Sequence, residues 1–420
     1  MTSRLRDLLT VAALVLTAGV ALAQEAPPDP VGTAPVHFGP LGLRPELLLT
    51  NLGIDTNVFN ETDEEGPESD WTLTFGPAAD FWLRLGRARL SGRAAVTYDW
   101  FAKFETQRAW GTNDRFRLEL PSGHVRPYLG GSYLTARDRP GYEIDERVRH
   151  SERALTFGVD FAVSRKTTFG AGAIRTIVKY DETANFDDQW LNEVLNRTET
   201  GINASARYRV TPLTTLGVEA QWARERFEFS PERDGNSLRV VPGLEFDAFA
   251  LVNGTAKVGY RKLAMLSPGM PDYSGPVASV DLGYTLLGVT RFAVGLSRDI
   301  EYSYSTTEPY YVLTGTTFSV TQAVGGPWAL TFRTGLQRMA YRTLVAPGPA
   351  LGPSGPAAAP RAEAGEGRTD HLRFYGGGVS YKIGPDVRMG VDANYYARTS
   401  EVAWREYSGL RIGGSVTYGF

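Results

Sequence analysis

The chain has 420 residues, a formal net charge of −3 and no cysteine, and its mean hydropathy is slightly polar. The near-neutral balance gives no reason to expect nucleic acid, and the missing cysteine excludes a disulfide scaffold or a lipid anchor on a cysteine. Past residue 23 no stretch approaches the roughly 18 to 20 uninterrupted apolar residues of a membrane-spanning helix, so a membrane protein of this sequence has to be a barrel.

The first residues carry Arg4 and Arg6, continue through the uncharged run Leu8 to Ala23, and end on Ala21-Leu22-Ala23 ahead of Gln24. A basic start, a short apolar middle and small residues at the exit predict a cleavable secretory signal over residues 1–23. Residues 24–40, with their Pro27-Pro28-Asp29-Pro30 run, read as a periplasmic N-terminal segment, and 41–420 as an outer-membrane barrel.

From residue 41 one unit repeats: about ten residues of apolar and polar alternation, closed by turn residues. Strands are expected to start near 41, 70, 88, 112, 126, 151, 167, 195, 213, 236, 252, 275, 289, 308, 327, 369, 386 and 405. The fold predicted is an all-β, antiparallel up-and-down transmembrane β-barrel of about 18 strands, an even number as in single-chain bacterial barrels. Short connectors such as Gly86-Arg87, Leu287-Gly288 and Gly384-Pro385 alternate with longer ones such as 59–69, 138–150, 181–192 and 344–368. A chain weaving across a membrane requires this alternation of short periplasmic turns and long extracellular loops. A propeller would show a blade repeat of about 40 residues, and a sandwich a polar outer face; the sequence has neither.

In the opening hairpin, Gly53-Ile54-Asp55-Thr56-Asn57-Val58-Phe59, Ser69-Asp70-Trp71 and Gly76-Pro77 resemble the first hairpin of the putative β-barrel porin 2 family. Taken alone, Asp-Thr-Asn also suits a plain strand-to-loop turn. The resemblance covers about two strands by motif and the rest by architecture. It implies an outer-membrane barrel. Because a number of members lie among genes for exopolysaccharide or capsule production, it also implies a conduit for polysaccharide, with export components as partners. The acidic loop with Glu61, Asp63, Glu64, Glu65, Glu68 and Asp70 reads as solvated, although clustered carboxylates could instead hold divalent cations near lipopolysaccharide.

Alternation assigns the wet face of the strands. Its charged members, the expected pore lining, are Arg115, Arg117, Glu119, Asp160, Arg207, Arg209, Glu219, Arg239, Glu245, Asp247, Asp281, Arg333, Arg388, Asp392 and Arg411. Charges of both signs set the selectivity of an open pore or, equally, pair off and stiffen the wall. Two strands fit poorly. Phe169 to Lys179 places Arg175 among apolar residues, and Arg373 to Ile383 changes phase across Gly376-Gly377-Gly378, which indicates a bulge or a strand end outside the bilayer. The Ala-, Pro- and Gly-rich stretch Ala346 to Gly367 reads as a flexible outer loop or an inward constriction. Val416, Tyr418 and Phe420 alternate at the end of the chain as the terminal signal for insertion by the barrel-assembly machinery, which pairs such a strand with an open sheet edge.

No enzyme motif accompanies the barrel. His37, His124, His150 and His371 lie apart in sequence, and Gly-x-Ser-x-Gly and His-Glu-x-x-His are absent, so no catalytic residue, metal or cofactor is expected. A barrel of this width encloses a water-filled lumen unless something plugs it, and no separate plug domain precedes the first strand. The function expected is a pore in the bacterial outer membrane, in contact with its lipid and lipopolysaccharide. A polysaccharide conduit is the cargo the family implies, a small-solute diffusion porin is the alternative, and a closed structural or surface-binding barrel is a third reading.

Overall fold

A computed structural model describes residues 34–248, 250–344 and 366–419. The expected signal peptide, most of the 24–40 segment, most of the Ala346 to Gly367 stretch and Phe420 lie outside them. Eighteen strands form the wall: β1 (Leu41–Asp55), β2 (Asp70–Leu85), β3 (Ala88–Phe101), β4 (Ala109–Glu119), β5 (Val125–Asp138), β6 (Val148–Ala162), β7 (Thr167–Tyr180), β8 (Arg197–Thr211) and β9 (Thr214–Phe227). They continue as β10 (Gly235–Phe246), β11 (Val252–Met265), β12 (Tyr273–Leu286), β13 (Thr290–Tyr302), β14 (Tyr310–Gly325), β15 (Trp328–Arg342), β16 (Glu366–Ile383), β17 (Val387–Thr399) and β18 (Tyr407–Tyr418). Each pairs antiparallel with the next, β18 pairs with β1, and the sheet closes. No strand starts more than three residues from its expected position. A three-residue strand, Val36–Phe38, folds back on the start of β1.

Closure leaves the wall without a free edge, so its ladder hydrogen bonds are made within the sheet, which is why strands can cross lipid at all. Alternation then sorts the side chains. In β8, Ile202, Tyr208 and Val210 are exposed on the outside, whereas Asn203 and Ser205 are buried on the lumen side. The same sorting places Val391 (60% exposed) and Ile412 outside, and Asp392 and Arg411 inside.

Neither poorly fitting stretch contains a bulge; the one register shift in β16 lies nearer its start, where the β15 partners change between Ala340 and Arg342. β7 and β16 keep unbroken register with both neighbours across Arg175 and across Gly376 to Gly378. Arg175 and Arg373 face outward near the long-loop end, and Leu372 and Phe374 face inward. The apparent phase change is therefore a change of surroundings: at that end the inside becomes partly apolar and the outside partly charged.

The seam between β1 and β18 does carry a bulge, where register shifts between Leu49 and Leu52. Asn51 occupies the left-handed region at φ 53°, which Asn tolerates better than most residues. Gly53 follows because the β18 backbone presses against it: a Cβ there would lie 1.9 Å from the Ile412 carbonyl oxygen.

The largest departure from a plain tube is at the long-loop end. β12 pairs with β13 only from Ala278 onward, so Tyr273–Val277 and Asp299–Tyr302 part company. The freed tip of the β13–β14 hairpin is covered on both faces. Ile300, Tyr310 and Val312 pack with Leu263, Met265, Met270 and Tyr273, while Tyr311 and Leu313 pack with Met339 and Tyr341. Strand residues buried on both sides form a continuous apolar run, and Tyr310-Tyr311-Val312-Leu313 is one. A third cluster joins the β5–β6 loop (Ile144) to the β7–β8 loop, whose small hairpin and five-residue helix Leu191–Leu195 bury Phe186, Leu191 and Leu195.

Candidate functional site

The lumen wall is built from the wet face of the strands, and most of its expected charges pair. Arg117 donates to Glu119 at 2.6 Å and stacks over the Tyr128 ring. Asp160 lies 3.9 Å from both Arg117 and Arg207. Lys257, absent from the expected set, holds Glu219 at 2.8 Å and reaches Glu245 at 4.0 Å. Arg239 faces Asp299 at 3.6 Å, and Arg333 binds Asp392 at 2.8 Å. Arg115 and Asp281 are exposed to the lumen. Arg209 and Arg388 share the inward face of β8 and β17. Asp247 is the exception: β10 ends at Phe246, so Asp247 sits in the following turn, at the rim rather than in the wall. Val416 and Tyr418 face outward, with Tyr418 in register with Leu47 and Val387.

The Asp-Thr-Asn motif at the end of β1 fastens the seam. Asp55 accepts from Arg411 Nε at 2.7 Å, Tyr396 OH at 3.0 Å and the Asn57 backbone N–H at 3.1 Å. Thr56 exchanges hydrogen bonds with the Leu410 backbone through its own N–H and its hydroxyl. Asn57 is fully buried, donates to the carbonyls of Ser408 (2.9 Å) and Glu61 (2.8 Å), and accepts from the Glu61 N–H. Asp70, counted with the acidic loop by sequence, is buried and accepts from the backbone N–H groups of Trp71, Lys103 and Phe104. Among the described residues no three or more His, Asp or Glu side chains come together as a metal ion would require.

A constriction of loop residues fills the centre of the long-loop end. Arg398 of β17 is fully buried and binds Asp145 at 3.0 Å and Asp370. Arg405, from the β17–β18 loop, reaches Asp145 at 3.1 Å, the Tyr304 hydroxyl at 3.0 Å and the Glu143 carbonyl. Tyr407 donates to Asp145 at 2.8 Å. Glu143 accepts from Ser303 Oγ at 2.6 Å and from the Tyr304 N–H at 3.1 Å, which ties the β5–β6 loop to the β13–β14 tip. Arg233, in the β9–β10 loop, donates to the Ser303 and Ser305 carbonyls, each at 2.5 Å.

Burial is the largest influence on the Glu143 carboxyl and pushes it above its ordinary range, against the nearby Arg405 and Arg368 charges and the hydrogen bonds that favour the anion. Tyr304 is likewise pushed up, to about 12, chiefly by burial, and remains a neutral hydroxyl that donates to Asp187. These residues escaped the sequence reading because loop residues carry no period. Arg398 does lie on the wet face, but its partners come from segments 253 and 28 positions away.

A cavity of about 220 Å³ remains beside the constriction, with Arg197, Glu199, Arg261, Asp299 and Glu301 on its wall and Tyr142 on its loop side. Arg261 bridges Asp299 (2.8 Å) and Glu225 (2.9 Å) there. At the rim, His150 hydrogen-bonds Asp138 at 2.7 Å. Ser151, the next residue along β6, points to the opposite face of the strand.

The chain is similar in structure to Pseudomonas aeruginosa OccK3 (OpdO), at 11% identity over 90% of this chain and 95% of that one, with a TM-score of 0.44. It is also similar to Pseudomonas aeruginosa OpdK solved with vanillate, at 11% identity over 90% and 98% of the two chains and a TM-score of 0.45. No curated protein matches it in sequence. The family model described as "Putative beta-barrel porin 2" matches residues 27–344. With an 18-strand closed barrel and the Asp55–Asn57 seam motif already in place, that match over most of the sequence means the chain belongs to the putative β-barrel porin 2 family.

Proposed function

We propose that the protein is a non-enzymatic channel of the bacterial outer membrane that passes small polar solutes through a lumen constricted near its outer end. One observation carries the reading: the obstruction is made of loops and a hairpin tip held by buried ion pairs, over a wall that is polar and charge-paired along its length. A wall lined for water, narrowed by separable segments, suits gated or restricted diffusion. We prefer small solutes over polysaccharide because buried ion pairs and hydrogen bonds tie several loops together across the outer mouth. The polysaccharide conduit rests on the family resemblance.

The test is conductance of the refolded protein in planar bilayers. Wild type should give small, stable current steps, and Arg398→Met, which leaves Asp145 and Asp370 without their guanidinium, should give larger or longer ones. Silence from both proteins would overturn the channel and leave a closed structural barrel.

A further inference from the structure

The outer surface of the barrel has a charged region that neither the seam nor the constriction uses. On the lipid side of β6, Leu155, Phe157 (63% exposed) and Phe161 form part of the apolar belt. Continuing toward the long-loop end on the same face, the side chains become Arg153 and Arg149. β7 repeats the change, from Phe169 and Ala171 to Arg175 and Lys179. With a rise of about 3.3 Å per residue and a tilt of about 45°, Arg153 stands ~19 Å and Arg149 ~28 Å above Phe161, at the upper margin of a belt about 25 Å tall. That margin is the headgroup level of the leaflet on the long-loop side.

Register makes these residues one patch. Arg137 of β5 lies directly opposite Arg149, Arg153 opposite Ile177, and Ser151 opposite Lys179. Like charges directly opposite across a strand pair destabilise a sheet. No carboxylate among the described residues lies within ion-pair distance of Arg137, Arg149, Arg153 or Arg175. Asp181, at the end of β7, accepts from the Thr183 hydroxyl at 2.6 Å and the Thr183 N–H, and attracts Arg149 and Arg137 only from beyond ion-pair distance. Lys179 alone has a carboxylate partner, Glu228 at 3.3 Å. Cations that merely snorkel from a membrane surface need no such grouping. A cluster that accepts mutual repulsion is stabilised when a multivalent anion sits across it, and guanidinium groups match phosphate oxygens in bidentate geometry.

We infer that Arg137, Arg149, Arg153, Arg175 and Lys179 form a docking site for the phosphate-bearing headgroup of a glycolipid in the outer leaflet. The site stands on the lipid face and is independent of whether the lumen conducts.

The experiment titrates diphosphoryl lipid A into the refolded full-length protein in neutral detergent and follows binding by native mass spectrometry. Two variants carry the test: Arg149→Gln/Arg153→Gln/Arg175→Gln, and the control Lys262→Gln/Arg338→Gln, which removes outward cations from β11 and β15. All three proteins should retain heat-modifiable mobility, since every substitution is exposed. Lipid A affinity should fall at least tenfold in the triple variant and stay within about threefold of wild type in the control. Neutral phosphatidylcholine should bind weakly to all of them, and millimolar inorganic phosphate should fail to displace lipid A. Equal lipid A affinity in wild type and triple variant would overturn the site, as would an equal loss in the control. Displacement by inorganic phosphate would mark a soluble-phosphate site and overturn the lipid. If the triple variant fails to fold, the single variant Arg153→Gln reads the same comparison.

Discussion

At the scale of single residues, the seam depends on Asn57 more than on any charge. Its amide side chain meets two carbonyls and one N–H inside a fully buried site, and a buried carbonyl left without its donor costs roughly 1–3 kcal/mol. Asn57→Ala should therefore lower barrel stability by about 2 kcal/mol or more, read as the urea midpoint in lipid vesicles. A loss below about 0.5 kcal/mol, ordinary for a surface site, would show that the motif is only a turn. Arg411 belongs to the same account. It lies on the lumen face as expected, but Asp55 holds it at the seam, so neutralising it tests closure before it tests selectivity.

At the scale of elements, the faces of β17 make the sharper contrast. Val391 looks into lipid and Arg388 into the lumen. Val391→Arg should cost about 2 to 4 kcal/mol near the bilayer midplane, whereas Arg388→Gln should leave the unfolding curve close to wild type. Urea unfolding of both variants checks the assignment, and the reverse order of stabilities would mean that the faces are exchanged. Strand positions and faces could be read from sequence because a period of two is imposed by the pleat and reinforced by two solvents, lipid and water. The β13–β14 tip could not. Tyr310-Tyr311-Val312-Leu313 has no alternation to follow, and nothing local says that Asp299 to Tyr302 will leave the wall. The pairs at Glu143, Asp145 and Arg405 were illegible for a related reason, since they join loops whose only common property is where the barrel brings them.

At the scale of the whole molecule, the constriction should respond to pH through Glu143. Its carboxyl titrates above the ordinary value when the loops are docked. The stability it contributes is therefore fully present below the unfolded value of about 4.3 and is lost as pH rises through the raised folded value. Protease nicking between Arg139 and Arg147 should be slower near pH 4 than at pH 7, and Glu143→Gln should remove most of that difference. An unchanged pH response in Glu143→Gln would assign it to another group. The same cluster also fixes an order of events in time. Glu143 contacts a loop 262 positions later in the chain, and Arg398 contacts Asp145 across 253, so none of these bonds can form until the last hairpin has joined the sheet. Contacts among earlier segments, such as those of Glu143 with Ser303 and Tyr304, do not wait for that step, so the narrowing of the outer mouth is completed, not begun, by the closing of the barrel.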